Sequence, residues 1–162
     1  MRSHATSRRV GFSLIELVIV VVIIGIIAAI AAPRFSSAST KTSQTAALAT
    51  FRDLSMAYEV YYQQHGDWPV QNTSGKTDTA MNDSITQTTW SSRPPLGERW
   101  VFLHHPDCGV CLGMAASELD TWVERWQAFD ARYDDGDSDA GVIRIAKDTP
   151  PALVWIVDPN VK

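Results

Sequence analysis

The densest group of reactive side chains is "HHPDCGVC", residues 104–111, which sets His104 and His105 just ahead of Cys108 and Cys111. The two thiols stand in C-x-x-C spacing and are the chain's only cysteines. Three chemistries suit these residue types. A Cys108–Cys111 disulfide would clamp a turn outside the cytoplasm, as a strained and reducible bond. Zinc would take both thiolates and one or both imidazoles, although structural zinc sites usually split their ligands into separated pairs. A thiol oxidoreductase would need an exposed thiolate at a helix N-terminus. The disulfide is the preferred reading and zinc the second. The oxidoreductase comes last, because no thioredoxin-like alternation of strand and helix surrounds the motif.

A second group, "DDGDSDAG" at 134–141, places Asp135, Asp137 and Asp139 at alternate positions. Hard cations such as calcium want several oxygens at this density. The segment fails as an EF-hand loop, with Ala140 where the sharp turn needs Gly and Ala146 where a bidentate Glu would close the site. The simpler reading is a solvated Asp/Gly turn between a helix and a strand. No nucleophile motif, phosphate-binding glycine loop or H-E-x-x-H pattern is present, so the chain is not read as an enzyme and requires no cofactor.

The third feature is one carboxylate in an apolar run, "RRVGFSLIELVIVVVIIGIIAAIAAPRF", residues 8–35. From Phe12 to Ala32 the only charge is Glu16 and the only other polar side chain is Ser13. As a helix those residues span about 31 Å, the thickness of a bilayer core. Arg2, Arg8 and Arg9 precede the run, which places residues 1–11 in the cytoplasm. A carboxylate in hydrocarbon costs about 2.5–3.5 kcal/mol on insertion scales. An ordinary signal peptide is shorter and accommodates Glu16 badly, and a plain anchor leaves it unexplained. Cleavage between Gly11 and Phe12 would explain it. The new amine of Phe12 in one chain could pair with Glu16 of a neighbour, offsetting two desolvation penalties and fixing the stagger between copies.

Residues 8–35 resemble the class III signal of type IV pilins and type II secretion pseudopilins. The likeness rests on a short basic leader ending in Gly11, then Phe12, a glutamate at the fifth mature position, and an apolar helix. It implies cleavage after Gly11 by a prepilin peptidase, N-methylation of Phe12, and an assembly role for Glu16. The implied location is the bacterial inner membrane, as a single pass with the head in the periplasm, followed by an extracytoplasmic filament. The implied partners are identical or homologous subunits, the peptidase and an inner-membrane assembly platform. Major pseudopilins often bind calcium in a C-terminal loop, which keeps calcium as the candidate ion for Asp135, Asp137 and Asp139. Gly25 and Pro33 fall where many relatives carry helix-weakening residues.

The elements that would position these groups follow from periodicity. "SSASTKTSQT" (36–45) reads as a solvated connector, helical by continuity. Ala47, Phe51, Leu54, Tyr58 and Tyr61 then recur at steps of three and four, one face of a helix that stops at Gly66. "YYQQHGDWP" resembles the end of that helix in pseudopilins. Residues 70–99 read as a long polar connection, with Trp90 and Trp100 as packing anchors. "RWVFLHH" (99–105) reads as a buried strand, and Ser117 with Asp120 as a capping box opening a helix over 117–132. "GVIRIA" and "ALVWIV" read as a hairpin. The expected class is α+β and pilin-like: a long N-terminal helix, membrane-spanning in its first half, on a small antiparallel sheet, with an additional helix in the C-terminal half. The divisions are a leader (1–11), a membrane and assembly helix (12–32), the outer half of that helix (33–66) and a head (67–162).

Charge narrows the partners. The chain has 14 basic and 18 acidic residues, and removing Arg2, Arg8 and Arg9 with the leader leaves 11 basic, a net of −7. That balance argues against nucleic acid, whose binding needs Lys and Arg to displace counterions. The expected function is therefore a structural subunit of a type IV pilus or type II secretion pseudopilus. The alternatives are a minor tip subunit that binds a surface or a secreted substrate, and a membrane-tethered redox protein using Cys108 and Cys111.

Overall fold

The computed structural model describes residues 12–75, 81, 85, 87–106, 109–148 and 150–160. Its element order is α1 (Leu14–His65), α2 (Gln87–Ser91), β1 (Arg99–His105), β2 (Gly109–Ala115), α3 (Leu119–Tyr133), β3 (Ile143–Ala146) and β4 (Ala152–Asp158). This is the expected α+β, pilin-like architecture. Two compact units divide it, the first running to Lys41 and the second from Thr42 to Lys162.

In the first unit α1 is rich in Val and Ile, residues that form helices poorly in water. Hydrocarbon removes the alternative, because backbone groups there must be satisfied within the segment. The helix continues through positions 25 and 33, so Gly25 and Pro33 do not end it.

In the second unit the outer part of α1 carries the expected stripe. Ala47, Phe51, Leu54 and Tyr58 are buried and Tyr61 packs against them. Gln44, in the stretch read as a solvated connector, is also buried. Gly66 adopts φ 75°, the left-handed conformation that stops a helix at little steric cost.

The sheet is antiparallel throughout, in the order β1-β2-β4-β3. Its core is aromatic. Tyr58 stacks on Phe102 with ring centres 4.1 Å apart, and Phe51 meets Trp100 edge-on at 5.8 Å. Trp90 and Trp100 are both buried, as packing anchors must be. The backbone of Asn72 exchanges two hydrogen bonds with Phe102, partly covering the free edge of β1.

Three expectations need correction. The sequence reading puts a turn at the C-x-x-C motif and assigns no element to 109–115, yet these residues form β2, a central strand with all seven residues buried. A strand covered on both faces shows no alternation to read. The connection at 70–99 is not merely polar: Met81, Ile85 and Leu96 join the core, and α2 lies within it. The capping box does not form. Ser117 donates its hydroxyl and its amide to Glu98, and Glu118 takes the N-cap position of α3 without a side-chain bond. Glu98 thereby takes the Ser117 amide that Asp120 would accept in a capping box.

Candidate functional site

The N-terminal region is built from the helix start outward. Ser13 precedes the first helical residue, Leu14. Its backbone N–H donates to Glu16 Oε2 at 3.0 Å, the reach-back half of a capping box. Glu16 therefore has a job within its own chain, satisfying an orphan donor at the positive end of the helix dipole. Around it the apolar side chains are exposed: Phe12 at 79%, Leu14 at 82% and Ile30 at 60%. The segment is long and apolar enough to cross a membrane, and none of its most apolar stretch is buried. A face this apolar in every direction calls for lipid or other helices around it. Residues 7–32 match the model of the prokaryotic N-terminal methylation motif. The chain carries the type IV pilin and pseudopilin signal. No curated protein and no solved structure matches the chain significantly. The motif covers the end of the basic leader and most of the apolar run. It fits anchoring in the inner membrane. Gly11 lies outside the described residues, while Phe12 and Glu16 lie inside them.

The His/Cys group is spread by the β1–β2 hairpin. Cys108 lies outside the described residues. Cys111 is fully buried, opposite Leu103 in the register, with Sγ 3.5 Å from the Gly109 carbonyl. A catalytic thiolate needs exposure, which Cys111 lacks. Adjacent residues of a strand point to opposite faces. His104 sits on the Phe102 side and donates through Nε2 to the Pro69 carbonyl at 2.9 Å. His105 meets Asp148 Oδ2 through Nε2 at 2.6 Å, at the rim of a cavity of about 380 Å³. The two imidazoles thus face different partners, and the zinc set is not brought together among the described residues.

The acidic loop is arranged differently from its spacing. Asp137 N–H donates to Asp135 Oδ1 and Asp139 N–H to Asp137 Oδ1, so the alternate carboxylates fold a run of turns. Asp139 also pairs with Lys147 Nζ at 3.1 Å. Of the three, only Asp135 joins a group with converging oxygens, and its companions are Asp130 and Asp134. Asp134 Oδ2 accepts from the amides of Val142 and Ile143, at 2.6 and 2.7 Å, and so ties the end of α3 to the start of β3. Gly141 is required there: its φ is 70°, and a Cβ would collide with Asp134 Oδ2.

Asp130 is the residue the sequence reading missed. It lies one position after Phe129 and four after Trp126, on the buried face of α3, and has no accessible surface. Neither carboxylate oxygen meets a hydrogen-bond donor. Burial raises its pKa above the ordinary carboxylate value, and the charges of Asp135 and Asp134 push it the same way. The Gly136 amide pulls it down from nearby without reaching hydrogen-bond geometry. An acid on the apolar stripe of an amphipathic helix, four residues before another acid, was the signal available.

Proposed function

We propose that this chain is a structural subunit of a filament rooted in the inner membrane, a type IV pilus or a type II secretion pseudopilus. The methylation motif at 7–32 carries this reading. Prepilin peptidase cuts between Gly11 and Phe12, and the new Phe12 amine is methylated and stays cationic. The apolar half of α1 holds the subunit in the bilayer and then packs among its copies. The head from Thr42 onward faces the periplasm and the filament surface.

Glu16 serves both stages. Oε2 caps the helix through Ser13, which leaves Oε1 to take the Phe12 amine of a neighbouring subunit in the filament. The pair supplies register, and lipid makes it selective: a mismatched stagger leaves a lone charge in hydrocarbon.

Mass spectrometry of the mature protein tests the reading. A chain beginning at methylated Phe12 is expected, and a chain beginning near Ser36 points to ordinary secretion instead. Glu16→Ala should still be cleaved and methylated, while its incorporation into filaments falls by about tenfold or more, the equivalent of about 1.4 kcal/mol. Full incorporation of that variant removes the register role.

A further inference from the structure

The sheet has a second face, which the assembly reading does not use. α1 packs on the side of Phe102, through Tyr58. The other side carries its own buried cluster, Val101, Leu103, Cys111 and Val154 among it. β1 and β3 are the two edges of the sheet, yet the turn after β3 returns to β1, where Asp148 Oδ2 meets His105 Nε2 at 2.6 Å. The preceding residue, Lys147, pairs at 3.1 Å with Asp139 from the loop before β3. These two acid–base pairs line the cavity of about 380 Å³. Arg144 lines it too, and stands opposite Val154 in the register, so the two share a face. Val154 and Ala146 supply the apolar part of the wall. The volume falls in the range of small-molecule sites, and so does the combination of an apolar wall with a few polar groups drawn from separate segments.

We propose that this cavity binds a small zwitterion with an aliphatic body, the chemistry of a free amino acid. The lining holds both signs of charge beside an apolar wall, and a molecule carrying both signs on an apolar body complements it. A plain anion would meet Arg144 and Lys147 but also two carboxylates, and a plain cation would meet the reverse. Arg144 takes the carboxylate, because a guanidinium fork matches its two oxygens. Its Nε donates to the Gly141 carbonyl at 3.1 Å, which fixes the plane of the group. Asp148 takes the ammonium. It uses Oδ2 for His105, and an ionised carboxylate has lone pairs for further donors. Asp139 is held through both oxygens by Lys147, at 3.1 and 3.3 Å, and serves as wall. The aliphatic body lies against Val154. Asp148 is exposed, and ion pairs open to water are weak, so the affinity is modest. The site belongs to the head alone and stands whether or not the chain assembles as proposed.

Equilibrium dialysis of the full chain in detergent micelles, against radiolabelled leucine and with empty micelles as the blank, tests the site. Saturable binding is expected with a dissociation constant of about 1 mM or tighter. Two probes each lack one charge: 4-methylpentanoate has no ammonium and leucinamide no carboxylate. Each should bind at least about tenfold more weakly than leucine, since each leaves one partner in the cavity unmatched. Arg144→Gln should lose about tenfold for leucine and nothing for leucinamide. Asp148→Asn should lose about tenfold for leucine and nothing for 4-methylpentanoate. Asp148 is exposed, so its variant folds and decides the matter should Arg144→Gln not fold. Glu124→Gln, an exposed change on α3 away from the cavity, should bind as the parent does. No saturable binding of leucine by the parent up to about 10 mM overturns the site. So does equal binding of the three probes, which would mean apolar adsorption alone, and so does unchanged leucine affinity in Asp148→Asn. Cleavage, methylation and filament incorporation are read separately and report on the assembly proposal instead.

Discussion

Between Leu14 and Ile30 the large side chains of α1 are exposed, whereas between Ala47 and Tyr58 a single face is buried and Arg52, Asp53 and Glu59 stand exposed beside it. The backbone is the same helix in both stretches. What differs is the medium each has been written for. The outer stretch separates apolar from polar residues because it meets a protein core on one side and water on the other. The inner stretch makes no such separation, so it fits surroundings that are apolar on every side. A lone carboxylate is thereby informative in one stretch and ordinary in the other. Asp53 on the wet face needs no explanation, and Glu16 does. Asp130 repeats the lesson within the head, as a carboxylate on the dry face of α3.

The largest effect is expected where the core is densest. Phe51 is fully buried and packs against Trp100, Phe129 and Trp155. Phe51→Ala removes a large side chain from an interior that collapses only in part, at a cost of about 3–5 kcal/mol. Denaturant unfolding of the chain in micelles should show that loss, while cleavage at Gly11 and membrane retention stay as in the parent. A stability change below about 1 kcal/mol would mean the stripe is not a core face.

The converse substitution tests the inner stretch. Ile23 is half exposed, and in water an exposed Ile→Asp change is close to neutral. In lipid the same change costs about 2.5–3.5 kcal/mol. Ile23→Asp should therefore shift the chain from the membrane fraction to the soluble or aggregated one without changing the unfolding of the head. Retention of this variant in membranes at the parent level would break the comparison.

The two regions were also unequally legible. The inner stretch could be read because composition decides it: an unbroken apolar run, one acid and three preceding arginines need no knowledge of distant contacts. α1's stripe and β1 were legible for a related reason, since one face of each meets a single environment and leaves a period. β2 was not. Its seven residues are covered on both sides, and small residues such as Gly109, Gly113 and Ala115 sit among them, so the strand resembles a loop. The strand order depends on pairings between residues some forty positions apart, such as Leu112 with Trp155, and nothing local encodes it. Met81, Ile85 and Leu96 were hidden because a loop that plugs a core has no period. Asp130 was hidden because a helical stripe is traced through its apolar members. The acidic spacing drew attention to Asp135, Asp137 and Asp139, whereas the chain's path brings Asp130 and Asp134 to Asp135.

A finer substitution separates packing from hydrogen bonding in that plugged core. Trp126 is fully buried, and its Nε1–H donates to the Leu96 carbonyl at 2.6 Å, pinning the connection to α3. Leu96 itself is buried, so a carbonyl released there has little water to turn to. Trp122 lies on the same helix, stacked 6.5 Å from Trp126 and slightly exposed, with Arg125 over its ring. Trp126→Phe keeps an aromatic ring but loses volume and the donor, so it should cost more than Trp122→Phe, by about 1 kcal/mol, the net worth of one hydrogen bond. For a unit of this size that is a Tm difference of about 4 °C between the two variants. Equal losses would show that the indole of Trp126 acts by volume alone, and that the segment around Leu96 is held by its own side chain and not by the bond to α3.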